Sequence, residues 1–159
     1  METLVRLRDR ERSPITPTTF DKQPRLNTLA LTEFTLNFCK LCSKLVTFLE
    51  PTPTEVDIKV EIRNAFFGDS ARLFLIPYPV SSWAFSTTDD RHYAPESSMT
   101  RKLVVPTEQL RTGPANIAYN LLRQIFFWFE AEGEIPYTSG PPNAKYVDEQ
   151  LIINSRGAS

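Results

Sequence analysis

Between residues 31 and 49 the apolar side chains Leu31, Phe34, Phe38, Leu41, Cys42, Leu45, Phe48 and Leu49 recur at intervals of three and four. That spacing lines one face of an α-helix. It predicts a helix from about Thr32 to Glu50, capped by Thr32, with Glu33 in its first turn and Pro51 and Pro53 as the stop. The period then changes to two. Val56, Ile58, Val60 and Ile62 alternate with Asp57, Lys59, Glu61 and Arg63, the mark of a strand with one wet face. Gly68-Asp69 signals a turn, and Ala71 to Ile76 reads as a returning strand, so an antiparallel hairpin is expected. Ser81–Ser86 and Arg101–Val105 read as further short strands. A second long helix opens at Pro114, where a first turn accepts proline, and is expected to reach Glu132, with Gly133 as its stop.

The order helix, hairpin, one or two strands, helix predicts an α+β two-layer sandwich. Two long helices lie on one face of a three- to four-stranded antiparallel sheet. Several small dimeric α+β domains share that order, and no sequence motif ties the chain to one of them. The second helix carries more apolar surface than this layout uses. Ile117, Leu121, Ile125, Trp128 and Phe129 form one face, and Ala118, Leu122, Phe126 and Phe127 widen it. A helix packed on one layer needs only a stripe. The run Ile125 to Phe129 therefore predicts a helix either sunk deep in a core or covered by a second partner, with Phe126, Phe127 and Trp128 as the interface residues in the second case.

The 13 prolines and 41% hydrophobic content of the 159 residues divide the chain. Residues 1–27 read as an extended arm stiffened by Pro14, Pro17 and Pro24, and residues 28–136 as one α+β domain. Residues 137–159 read as a turn-rich tail around Gly140-Pro141-Pro142. It is expected to add an edge strand or to dock on a neighbour, and to be disordered from Asn154 onward. The formal net charge of −1 supplies no global field toward nucleic acid or an anionic membrane. No stretch of about 18 apolar residues is present to span a membrane, and no basic head precedes an apolar run at Met1 to Arg6. The expectation is a cytoplasmic protein without a membrane role.

Candidate chemistry is sparse. Cys39 and Cys42 have the spacing of a redox pair or half a metal site, but they fall mid-helix, and the chain has two cysteines and one histidine. Small buried thiols are the expected reading, with no cofactor and no metal. His92 follows Asp89-Asp90-Arg91. With Tyr93, Trp83 and Phe85 it outlines a candidate pocket for a small ligand or an enzyme. Arg6, Arg8, Arg10 and Arg12 recur at every second position, as a nucleic-acid arm does, though acidic neighbours offset most of that charge. No phosphate loop, dinucleotide fingerprint, metalloprotease motif or calcium loop occurs. The leading expectation is a non-enzymatic module for protein–protein interaction or oligomerisation, accessory to a larger system, with a homodimer as the first candidate. A nucleic-acid-associated protein using the arginine arm is the alternative. A sensor or enzyme built around His92 is the third reading.

Overall fold

The computed structural model of the chain describes residues 24–67, 71–76 and 92–156. In chain order these form β1 (Arg25–Asn27), α1 (Thr28–Leu45), β2 (Glu55–Ile62), β3 (Phe66–Phe67), β4 (Ala71–Arg72), β5 (Phe74–Ile76) and β6 (Met99–Pro106). There follow α2 (Thr107–Thr112), α3 (Pro114–Trp128), β7 (Thr138–Ser139), β8 (Tyr146–Val147) and α4 (Glu149–Arg156), with 3₁₀ turns at Val46–Phe48 and Glu132–Glu134. The mixed α+β character is as expected. The three- to four-stranded sheet is not there: among the described residues the named strands pair only in twos.

The expected hairpin is replaced by a longer-range pairing. β2 runs antiparallel to β6, with Val56 opposite Val105 and Ile62 opposite Met99. β5 instead lies parallel to β1, and β3 pairs with β4. Phe74, Leu75 and Ile76 are all buried, so β5 has no wet face to share with a half-exposed ribbon. β6 matches β2 in length and keeps one side wet.

α1 starts one turn earlier than Thr32. The Asn27 side chain accepts a hydrogen bond from the Ala30 N–H at 3.1 Å and caps the helix. Thr32 is buried instead, and its hydroxyl donates to the Thr28 carbonyl at 2.7 Å. Thr35 does the same to Leu31 at 2.8 Å, so these helical threonines bring little unmet polarity into the interior. The buried face of α1 is Thr28, Thr32, Thr35, Leu36 and Cys39. This face packs on α3, and its short side chains let the two helices approach closely.

α3 is sunk in the molecule. Ile117, Ala118, Leu121, Leu122, Ile125, Phe126 and Trp128 are buried on it, and its exposed side is Asn116, Asn120, Arg123 and Phe127. The second partner that the aromatic run requires is the chain's own tail. The β7–β8 hairpin and α4 fold back, Val147 and Ile152 join the core, and Asn116 donates to the Lys145 carbonyl at 3.2 Å. Helix α4 continues through Arg156, where disorder from Asn154 was expected. Its start is held by Asp148, whose carboxylate accepts from the Ser139 hydroxyl at 2.8 Å and the Gln150 N–H at 2.9 Å. In the hairpin, Gly140 has φ +96°, and a Cβ there would lie 2.6 Å from the Ala144 carbonyl oxygen.

α3 stops before Gly133. Glu130 takes φ 58°, Ala131 N–H donates to the Phe126 carbonyl at 2.9 Å, and Glu130 N–H to Phe127 at 3.0 Å. This is a Schellman closure with a non-glycine residue in the left-handed position. Glu130→Gly removes that strain, and the variant should gain about 1 kcal/mol in denaturant unfolding. The bonds from Ser139, Gln150 and Leu151 hold the Asp148 carboxyl below the usual range. Its folded pKa is depressed, so the stability it contributes is present above the ordinary carboxylate range of about 4 and is lost as pH falls through the folded value. Hydrogen exchange across α4 should accelerate over that acid interval, and the Asp148→Asn protein should show fast exchange there already at neutral pH.

Candidate interaction surface

The periodic apolar face of α1 is split: Leu31, Phe38 and Cys42 are partly buried against the core, while Phe34, Leu41, Leu45 and Phe48 face outward. Phe34, Phe38, Leu41, Leu45 and Phe48 follow one another at spacings of four, three, four and three, which keeps them on one side of the helix. Leu41 is 53% exposed, Leu45 52% and Phe48 79%, and the Phe34 and Phe38 rings stack at 6.4 Å. Asn37, Lys44 and Thr47 border the stripe with exposed side chains. Periodicity marks a face without saying which way it looks. Here the opposite face, made of threonines and Cys39, is the buried one.

Beside the first half of this stripe runs a groove of about 160 Å³ between α1 and β2. Phe34 and Phe38 form one wall, Val60 and Ile62 the other, and Leu121 and Ile125 contribute from α3. Lys59 and Glu61 stand at the β2 rim.

The edge of β2 is open next to the groove. Thr107 N–H donates to the Thr54 carbonyl at 2.9 Å, and Glu55 sits opposite Pro106, which has no N–H to give. In an antiparallel ladder the bonded pairs alternate. Residues 54, 56, 58, 60 and 62 therefore turn their N–H and C=O groups toward β6. Glu55, Asp57, Lys59 and Glu61 turn theirs outward, where no further strand pairs among the described residues. On the wet face Asp57 meets Lys102 at 2.6 Å, and Glu61 meets Arg63 at 2.8 Å and Lys59 at 3.4 Å. The Arg63 hydrogen bond, more than any other contact, holds the Glu61 carboxyl below its ordinary range. These pairs are solvent-exposed and add little to stability.

The residues singled out in the sequence scatter. Phe126 and Trp128 are buried within the chain, Trp128 edge-on to Phe129 at 4.8 Å, so Phe127 alone of that set reaches the surface, at 61% exposure. His92 offers its carbonyl to the Leu75 N–H at 3.0 Å, and Tyr93 packs on Phe74 with ring centroids 5.5 Å apart. Both extend the β1–β5 packing. Their expected companions Trp83 and Phe85 lie outside the described residues, as do Arg6, Arg8, Arg10 and Arg12. No groups of three or more His, Cys, Asp or Glu stand ready for a metal among the described residues, and no helix among them is long and apolar enough to cross a membrane.

Comparison with protein-family models, with curated proteins and with solved structures yields no match. The chemistry of the two thiols follows mainly from burial. Desolvation, and secondarily Cys42, pushes the Cys39 thiol up to about 12, and burial also raises Cys42. Thiolate is the reactive form. A thiol reagent at mildly alkaline pH should therefore label the native protein slowly at Cys42 and leave Cys39 untouched until denaturant is added. Rapid native labelling of both would contradict this burial.

Proposed function

We propose that the chain is a non-enzymatic protein-interaction module whose working surface is the outward face of α1 together with the groove and open edge of β2. The observation that carries this reading is the direction of α1. A solvated surface helix normally turns its large apolar residues inward and its polar residues outward. Here Phe34, Leu41, Leu45 and Phe48 are exposed while Thr28, Thr32 and Thr35 are buried. A contiguous apolar stripe of this kind on a folded domain marks a place where another protein sits. The two features beside it match two ways in which proteins take up a partner. An apolar helix face receives another helix or a hydrophobic groove, and an unpaired strand edge accepts a further strand. The second helix, whose aromatic run first pointed to a partner, supports the surface from beneath by closing the groove with Leu121 and Ile125.

The test separates a docking face from a misassigned core. Leu41→Glu places a charge on the stripe next to Lys44, on the outward side of the helix. Its midpoint of chemical unfolding should stay within about 0.5 kcal/mol of the parent, as for an exposed site. The parent at submicromolar concentration should bind a hydrophobic fluorescent dye while fully folded, and the variant should bind much less. A variant that loses several kcal/mol or fails to fold would put Leu41 in the core and remove the basis of the proposal.

A further inference from the structure

We infer that the partner of this surface is a second copy of the chain, joined by antiparallel pairing of β2 with β2 about a two-fold axis through Val60. This assignment rests on the interaction role above and adds to it the occupant and the register. The argument is the order of charges along the open edge. The residues of β2 whose backbone groups point outward are Glu55, Asp57, Lys59 and Glu61, and Arg63 follows directly after β2. From Asp57 to Arg63 the signs run minus, plus, minus, plus, and in the register proposed Glu55 falls opposite the neutral Ala65. Antiparallel pairing about Val60 sets Lys59 opposite Glu61 of the second copy and Asp57 opposite Arg63 of the second copy, and the symmetry repeats both pairs.

Neighbouring registers do worse; one through Ile62 opposes only Glu61 to Arg63 and runs most of the pairing beyond the end of β2. An axis through Lys59 sets that lysine against itself and Asp57 against Glu61. One through Glu61 sets that glutamate against itself and Lys59 against Arg63. An axis through Ile58 satisfies Asp57 and Lys59 but opposes Glu55 to Glu61. An axis between residues would pair outward-pointing backbone groups with inward-pointing ones. Charges often guard a strand edge against association, but a guarding row has one sign and repels its own copy. This row is complementary to itself.

The apolar surface fits the same arrangement. Val60 lines the groove on the side toward α1. With the axis normal to the ribbon, both α1 helices lie on one face of the joined four-stranded sheet. Phe34 and Phe38 of each copy then stand near the axis beside the other copy's groove. Pairing of the edges and covering of the stripes are thus satisfied by one symmetric contact, as an isologous interface requires.

The experiment is sedimentation equilibrium of the full chain, with circular dichroism as the check on folding. The parent should be dimeric. Lys59→Glu and Glu61→Lys alone should each weaken the dimer by about tenfold or more. Lys59→Glu combined with Glu61→Lys restores opposite charges in this register and should return the affinity to near the parent value. A second measurement uses the parent alone: amide exchange at Asp57, Lys59 and Glu61 should be fast in dilute solution and slow at dimeric concentrations. A parent that stays monomeric to about 100 μM overturns the second copy as occupant. If that monomer still binds the dye through α1, the interaction role survives and the occupant is a different protein. A dimer lost in Leu41→Glu but indifferent to both single charge reversals overturns the strand pairing. A dimer weakened by the single reversals and not restored by the double one overturns the register, as does a dimer whose Lys59 and Glu61 amides stay unprotected.

Discussion

The contact between α1 and α3 sets the rest of the structure. It is made on the α1 side by Thr28, Thr32, Thr35, Leu36 and Cys39, a face of mostly short side chains that lets one helix lie close on the other. The Thr32 and Thr35 hydroxyls bond back to carbonyls one turn earlier, while the buried Thr28 hydroxyl has no hydrogen-bond partner. Once this face is buried, the opposite face has no choice of direction. Phe34, Leu41, Leu45 and Phe48 are carried to the surface with Phe38 half-buried among them, and the groove between α1 and β2 opens beside them. An α1 rotated by half a turn would bury Phe34, Leu41 and Leu45 and leave no stripe. It would also need space for those side chains against α3, where Ala118 is fully buried.

How much of this could be read from the residues differs by element. The α1 face was visible in its three-and-four spacing, but its direction was not, because hydropathy scores threonine too weakly for a face of three threonines, Leu36 and Cys39 to compete with phenylalanine and leucine. The alternation in β2 predicted a half-wet strand correctly. Its partner was misassigned because a nearby strand was available, whereas β6 lies far along the chain and announces itself only weakly. The start of α1 shifted to Asn27 because asparagine caps better than threonine and nothing in Thr28 to Leu31 resists a helix.

The aromatic run of α3 gives a different lesson. Five apolar residues in succession signalled a helix covered on more than one side, and it is so covered. The cover comes from the tail of the same chain, through Val147 and Ile152. Those two residues sit in a segment rich in proline, glycine and polar residues, so the tail did not look like part of a core. Most of the apolar surface of that run is thus buried within the chain, Phe126 and Trp128 included. Phe127 is what remains of it exposed on α3, and the larger share of exposed apolar surface lies on α1. Of the candidate pocket only His92 and Tyr93 lie within the described residues, where the His92 carbonyl accepts from the Leu75 N–H and Tyr93 bridges to Phe74.

The open edge of β2 and the stripe of α1 are linked through this architecture. Among the described residues β2 pairs with β6 alone, and its second edge abuts the groove that the orientation of α1 leaves unfilled. A single event at this place can cover apolar side chains and satisfy backbone groups together, which neither feature offers alone. The account stands or falls on which face of α1 meets solvent. Radical or carbene footprinting of the dilute protein, read residue by residue by mass spectrometry, measures this directly. The orientation described here predicts heavy labelling at Leu41, Leu45 and Phe48, with Leu36 and Leu121 protected. Protection of Leu41 and Leu45 in the folded monomer, with labelling on the Leu36 side of the helix, would contradict it.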